Sequence, residues 1–332
     1  MTANKAAIRL TLEDGRDLAD KLNPRFLEAK LTEKRGGESD ELNITLHNHD
    51  GQLKPPKAGI FLSLAWGWET GEDVPLGLVS KGRFKVDEVE RSGTPDIVTI
   101  RARAADLSGQ LRTRKNKMWK ETTLGAILNK IAADDGKTAN VHPDLASKAV
   151  KAIEQHNKSD MQFVRDLGKR HDAVATWKDK TLVFMPIGGE TTGGGKAIPA
   201  LSLTRRDGNS WSFRHAQRNE HDGAEAQYQD TAEAKRKTVK TGGNKRKRLK
   251  KVYATEADAK TAADAQAKRD KRGAFTFDYD LAVADPSIIP NAKASLSGWD
   301  SEIDGIKWLV ESVETSLNAS GLTQKLAFES AI

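Results

Sequence analysis

The stretch FKVDEVE, residues 84–90, alternates apolar and polar side chains and reads as a β-strand. WLVESVE, residues 308–314, reads the same way at a constant offset of 224 positions. Phe84, Val86, Asp87, Val89 and Glu90 line up with Trp308, Val310, Glu311, Val313 and Glu314. Each segment then passes through a Gly-containing turn, SGTPD or NASG, into another alternating strand. After the first copy that strand is DIVTIRARA: Val98, Ile100, Ala102 and Ala104 share one face, and Thr99, Arg101 and Arg103 the other. Such a strand buries one face and leaves the other polar, as in the wall of a barrel or sandwich. Arg101 and Arg103 are therefore expected on solvent, a lumen or a neighbouring subunit. The echo extends upstream, where Gly67-Trp68 and Gly298-Trp299 end the preceding strands. The intervening loops differ by seven residues, which a surface connection tolerates. The order strand, Gly-Trp, loop, strand, turn, strand in both halves predicts a duplicated unit.

A length of 332 residues suits two or three domains. Apolar residues make up 37% and charged residues 30%, so much of the surface is polar or committed to partners. No window approaches the roughly 18 apolar residues of a membrane span, and the first residues lack the apolar run of a signal peptide. The chain has no cysteine, which excludes disulfides, thiolate metal sites and cysteine nucleophiles. Assembly in a cytoplasm is expected. The formal charge of +7 is local: residues 235–251 hold ten cations and no acid, and without them the net charge is −3.

The first hundred residues punctuate as antiparallel β-structure, with strands at 7–12, 26–33, 42–46 and 60–66 broken by Asp14-Gly15, RGGESD and Pro55-Pro56. From Thr122 the period changes to 3.6: Leu124, Ile127, Leu128 and Ile131 follow helical spacing, and Gly136 stops the helix. Ser159 with Gln162 signals a capping box ahead of Phe163, Val164 and Leu167. A hairpin, AVATW and TLVFMP around KDK, completes a small α/β module. GGETTGGG, 188–195, reads as a flexible linker. Beyond it LSLTRR, WSFRH and AEAQYQD read as strands. A basic loop follows, then a helix over 254–272 whose stripe of Ala259, Ala262, Ala263 and Ala267 suits close packing on a sheet. The chain ends in the strands FTFDYDLAV, ASLSGW, WLVESVE and TQKLAFE. The expected organisation is residues 1–110, a first β-barrel domain; 111–190, a small α/β domain; and 191–332, a second β-barrel domain. The class is α+β, mainly β.

Chemistry-bearing motifs are sparse. Lys196 follows three glycines, but Glu190 stands where a phosphate loop needs Gly and Ala197 where it needs Ser or Thr. His47 and His49 share a strand face with Asp50 nearby, without further ligands at metal-site spacing. His171-Asp172 and His221-Asp222 lack an accompanying nucleophile and read as turn residues. Asp134-Asp135 reads as a solvated helix end. No catalytic, cofactor-binding or metal-ligating residue is assigned. The strongest charge signal is Lys235, Arg236, Lys237, Lys240, Lys245, Arg246, Lys247, Arg248, Lys250 and Lys251. No aromatic side chain interleaves with them to stack on bases. A solvated hairpin tip or a docking surface for an acidic protein is the preferred reading, with phosphate neutralisation on a nucleic acid as the alternative. Trp66, Trp68, Trp299 and Trp308 fall in the echoed strands and are expected as core or interface anchors.

Four segments in order carry a family resemblance: GRFKVDEVERSGTPDIVTIRARAADLSGQLRTRKNKMW, TTLGAILNKIA, SDMQFVRDLGKRHDAVATWKDKTLVFMP and YATEADAKTAADAQAKRDKRGA. They resemble the phage late control protein D family, the baseplate hubs of contractile tails, related to the hub part of VgrG spikes. The resemblance implies two barrels similar to the tail-tube subunit, a homotrimer, and a ring of six similar units joining a six-fold tube to a three-fold spike. Implied partners are the trimeric tail spike, the tube or its initiator, baseplate wedge proteins and the tape-measure protein, with no membrane anchor and no cofactor. The resemblance offers no catalytic residues. No lysozyme insertion or C-terminal needle extension is expected, so cell-wall cleavage and piercing are expected in other proteins.

Overall fold

A computed structural model describes residues 3–18, 22–104, 110–216 and 221–331. Six strands come first: β1 (Lys5–Leu12), β2 (Phe26–Lys34), β3 (Glu41–His47), β4 (Phe61–Thr70), β5 (Gly77–Ser92) and β6 (Ile97–Arg103). Their alternating residues converge on one core that includes Leu10, Leu31, Ile44, Trp66, Phe84 and Ile100, each at most 3% exposed. Burying each large side chain contributes about 1.5–3 kcal/mol, and the polar residues between them keep the other face wet.

The module that follows contains β7 (Arg114–Thr123), α1 (Leu124–Asp134), β8 (Thr138–Val141), α2 (Pro143–Ala146), β9 (Ala149–Ser159), α3 (Asp160–His171), β10 (Ala173–Lys178) and β11 (Thr181–Pro186). Strands β10, β11 and β8 form one sheet, and β7 pairs with β9. Leu124, Ile127, Leu128 and Ile131 of α1 and Phe163, Val164 and Leu167 of α3 share a core with Leu182 and Phe184. Local chemistry sets the helix ends. Thr123 and Ser159 accept from the amides of Ala126 and Gln162, and Gly136 takes the left-handed turn after α1 at φ +66°.

The last part holds β12 (Leu201–Thr204), β13 (Gly208–His215), β14 (Gly223–Asp230), β15 (Lys235–Gly242), β16 (Arg246–Tyr253), α4 (Glu256–Arg272), β17 (Phe275–Leu281), β18 (Lys293–Ser297), α5 (Ser301–Asp304), β19 (Lys307–Asn318) and β20 (Gly321–Ser330). Strands β12, β13 and β17–β20 surround Phe277, Tyr279, Leu296, Trp308, Val313 and Phe328. Between β13 and β17 the chain inserts a separate layer in which α4 packs on the sheet β15-β14-β16. Ala259, Ala262 and Ala263 of α4 meet Ala224 and Ala226 of β14, and side chains this small let helix and sheet approach closely.

The halves, expected as two barrels, meet edge to edge in one sheet of order β1-β4-β5-β6-β3-β2-β19-β20-β17-β13, with β18 on β19 and β12 on β18. The join is the antiparallel pair β2–β19.

Two readings of local sequence need correction. The basic stretch is two strands with a turn between them, because Val239 and Leu249 alternate with the cations and pack toward α4. GGETTGGG is a folded connection held at several points. Thr192 and Lys196 bond across a tight turn, the Thr191 Oγ lies 3.1 Å from His142 Nε2, and Leu309 packs on Gly188.

Candidate functional site

Repetition of the two halves is visible rung by rung. Phe84 of β5 opposes Leu62 of β4, and Trp308 of β19 opposes Ala294 of β18. Val86 and Val89 oppose Ala102 and Ile100, and Val310 and Val313 oppose Phe328 and Leu326. A bulge interrupts each ladder at the same step, between Val86 and Glu88 and between Val310 and Ser312. Val86 exchanges backbone hydrogen bonds with Gly59 and Ile60, as Val310 does with Asn291 and Ala292. Gly59 and Asn291 both have positive φ, +92° and +74°. Following the ladders outward, β1, β2, β3, β4, β5 and β6 correspond to β12, β13, β17, β18, β19 and β20. Even the bulge between Phe26 and Glu28 recurs between Gly208 and Ser210. Two differences stand out. Strand β12 runs parallel to β18 whereas β1 runs antiparallel to β4. The Gly-Trp echo is one rung out of step, since Gly67 lies five residues past Leu62 and Gly298 four past Ala294.

Polar side chains opposite the core are paired across strands. Arg101, about 44% exposed, reaches Glu88 at 3.0 Å and Glu90 at 3.2 Å. Arg103 lies 3.4 Å from Asp87. Neither guanidinium enters a core.

Ion pairs fasten the parts to one another. Asp172, at the left-handed C-cap of α3, holds Arg272 in the last turn of α4 through both carboxylate oxygens. The Arg272 Nε lies 2.9 Å from Glu329 of β20, and Glu329 lies 2.7 Å from Arg35 in the β2–β3 turn. Arg272 is 3% exposed, so this chain of charges ties module, insertion and both repeats together within the protein. A second buried group links the first repeat to β10: Lys81 pairs with Glu33 at 2.7 Å and Lys178 with Asp40 at 2.8 Å. Burial pushes the Glu33 carboxyl above its usual range, against the pull of Lys81. Nothing in the sequence marked these acids and bases as partners, because they lie far apart along the chain. Asp172 in particular is more than a turn residue.

The basic sheet divides into paired and unpaired cations. Lys237 binds Asp230 at 2.7 Å and Glu233 at 2.5 Å, Arg248 binds Glu225 at 2.5 Å, and Lys247 lies 3.7 Å from Asp270. Lys251 lies over the Tyr253 ring and Arg246 over the Gly242 carbonyl. Lys235, Arg236, Lys240, Lys245 and Lys250 are exposed and have no ionic partner among the described residues. Asp222 shapes the intervening turn by accepting from the amides of Asn244 and Lys245.

The other singled-out residues take structural roles. Asp50 is clasped by Arg25 at 2.7 and 2.5 Å, which holds its carboxyl well below the usual range. The His47 and His49 rings meet edge to face at 6.4 Å, and among the described residues no three His, Asp or Glu side chains cluster as a metal would need. His171 is largely buried, and desolvation, aided by Arg170, lowers its pKa to about 4. Asp134 pairs with Lys130 at a solvated helix end, but Asp135 is only 7% exposed and pairs with Lys137. Trp66, Trp68 and Trp308 are buried, whereas Trp211 of β13 stands 40% exposed. Among the described residues no helix is long and apolar enough to cross a membrane.

Comparison with known proteins places this arrangement. Residues 41–321 match the family model described as phage tail baseplate hub (GPD). The chain is 33% identical to the probable baseplate hub protein of Escherichia phage P2, over 95% of this chain and 91% of that protein. It is 31% identical to the probable baseplate hub protein of Escherichia phage 186, over 99% and 94%. Among solved structures, the 43 kDa tail protein of prophage MuSo2 from Shewanella oneidensis shares the fold with a TM-score of 0.71 at 15% identity, covering 98% of both chains.

Proposed function

Because the chain belongs to the phage tail baseplate hub family, we propose that three copies form a ring of six repeats at the centre of a contractile-tail baseplate. One face of that ring meets the six-fold tail tube or its initiator, and the other meets the three-fold spike. The observation that carries this reading is the rung-by-rung repetition of β1–β6 in β12, β13 and β17–β20. A chain with two like units supplies six from three copies, and three-fold symmetry survives because the units differ. The small α/β module and the insertion exist once per chain, so they mark the three-fold face.

The role is mechanical and no catalytic group is invoked. The buried charge chain from Asp172 to Arg35 supports it, because removing either partner of such a pair is strongly destabilising. That chain keeps module, insertion and repeats from shifting under load. We assign residues 1–110 and 191–332 to the repeats and 111–190 to the module between them. The five unpartnered cations of β15, β16 and the turn between them dock an acidic protein of the baseplate, a wedge or tape-measure component, after assembly in the host cytoplasm. The particle is a phage tail or a tail-like particle.

Native mass spectrometry and negative-stain imaging test the ring, with the purified chain alone and mixed with its spike protein. Trimers with a central opening and six similar lobes are expected. Monomers or dimers under both conditions overturn it.

A further inference from the structure

The strand that joins the two repeats has a counterpart that, among the described residues, joins nothing. In the internal joint, β2 adds to the edge of β19 just past the point where β18 leaves it. Val310 still bonds to Asn291 and Ala292 on the β18 side, Glu311 accepts from the Arg35 amide, and Ser312 to Asn318 pair with β2. In the first repeat β4 leaves β5 at the equivalent place, with Val86 bonded to Gly59 and Ile60. Residues 87–92 of β5 then pair only with β6, and among the described residues no strand takes their other edge. The counterpart of β2 is β13, which among the described residues pairs with β17 alone.

We infer that β13 of one copy adds to the 87–92 edge of β5 in the next copy, repeating between chains the joint that β2 and β19 make within one. This rests on the ring proposed above and names the edges that close it. Burial supports it independently. Ala29 and Leu31 of β2 are 0% exposed beneath their joint, whereas their counterparts Trp211 and Phe213 are 40% exposed and half-buried. An exposed tryptophan on an edge strand is a hazard that proteins ordinarily blunt, and here it sits on the strand whose counterpart β2 is covered by its neighbour in the internal joint. Charge agrees too. Thr32 opposes Glu314 in the internal joint, and moving both to their counterparts puts Arg214 opposite Glu90. The β5 edge carries Asp87, Glu88 and Glu90, and an edge-to-edge ladder of this kind draws affinity from main-chain bonds and register from such pairs.

Because the chain has no cysteine, the register can be tested directly. Carrying Arg214→Cys and Glu90→Cys together, oxidised protein should run as linked dimers and closed trimers, and neither single variant should. The intrachain pair Thr32→Cys with Glu314→Cys serves as the positive control. Trimers that do not cross-link while the control does overturn this joint and leave the ring standing. Monomers at every concentration, alone and with the spike protein, overturn the ring and the joint with it. Arg214→Glu, on an exposed edge, should weaken trimerisation at least tenfold without moving the melting temperature of the monomer. Unchanged trimerisation counts against the joint.

Discussion

Gly59 and Asn291 hold the same place in the two repeats, each in a left-handed conformation just before a strand and each donating its amide to the valine of its own repeat, Val86 or Val310. Glycine adopts that backbone freely, and asparagine is among the few other residues that tolerate it. Asn291 adds what glycine cannot. Buried at 0% exposure, its amide accepts from Gly188 at 2.8 Å and donates to the Pro186 carbonyl at 3.2 Å, so the second repeat is fastened to the module at this point.

Asn291→Ala should therefore cost about 2–4 kcal/mol, combining left-handed strain with two buried groups left unbonded. Asn291→Gly should cost less, since only the bonds are lost. Thermal melts of both variants check the order, and equal losses would show that backbone strain plays no part.

Phe84→Ala and Trp308→Ala should each cost about 3–5 kcal/mol, because both side chains are fully buried in their own repeat core. Denaturant unfolding measures the losses. A loss below about 1 kcal/mol at either position would contradict its place in the core.

Arg272→Met removes the shared partner of Asp172 and Glu329 and should destabilise by about 3–5 kcal/mol, through the carboxylates left buried without it. Adding Asp172→Asn and Glu329→Gln should return part of that loss. If the triple variant is no more stable than the single one, the charges are not coupled.

The His171 side chain gives stability a pH dependence of known sign. Its folded pKa, about 4, lies below the ordinary 6.5, so between these values the unfolded chain binds a proton that the folded chain does not. Stability is complete above pH 6.5 and falls as pH drops toward 4, by up to about 3 kcal/mol for this group. His171→Gln should flatten the stability profile in that window, and an unchanged slope would show that His171 is not its source.

Much of the fold was legible because short-range patterns carry it. Alternation at Val98, Ile100 and Ala102 needs only a wet side and a dry side, and each was found on the expected face. The helix over 124–134 was legible for the same reason, with its stop at Gly136, whereas its cap at Thr123 emerged only from the structure. Charge density misled where the pattern was diluted. Val239 and Leu249 are few among ten cations, so two strands passed for a loop. Strands β7 and β9 went unread, since their polar faces blur the alternation.

By itself the sequence determined the repeated unit, its inward and outward faces and the alanine stripe, because each depends on residues within one or two elements, and its lack of cysteine excluded thiol chemistry. Tertiary structure alone decided the β2–β19 joint, the pairing of Asp172 with Arg272 and the edges of β5 and β13 that no strand takes among the described residues. Those relationships join positions a hundred or more residues apart, or belong to backbone edges whose hydrogen bonds any side chain can accompany. The strand order had to be seen before the empty places in it could be.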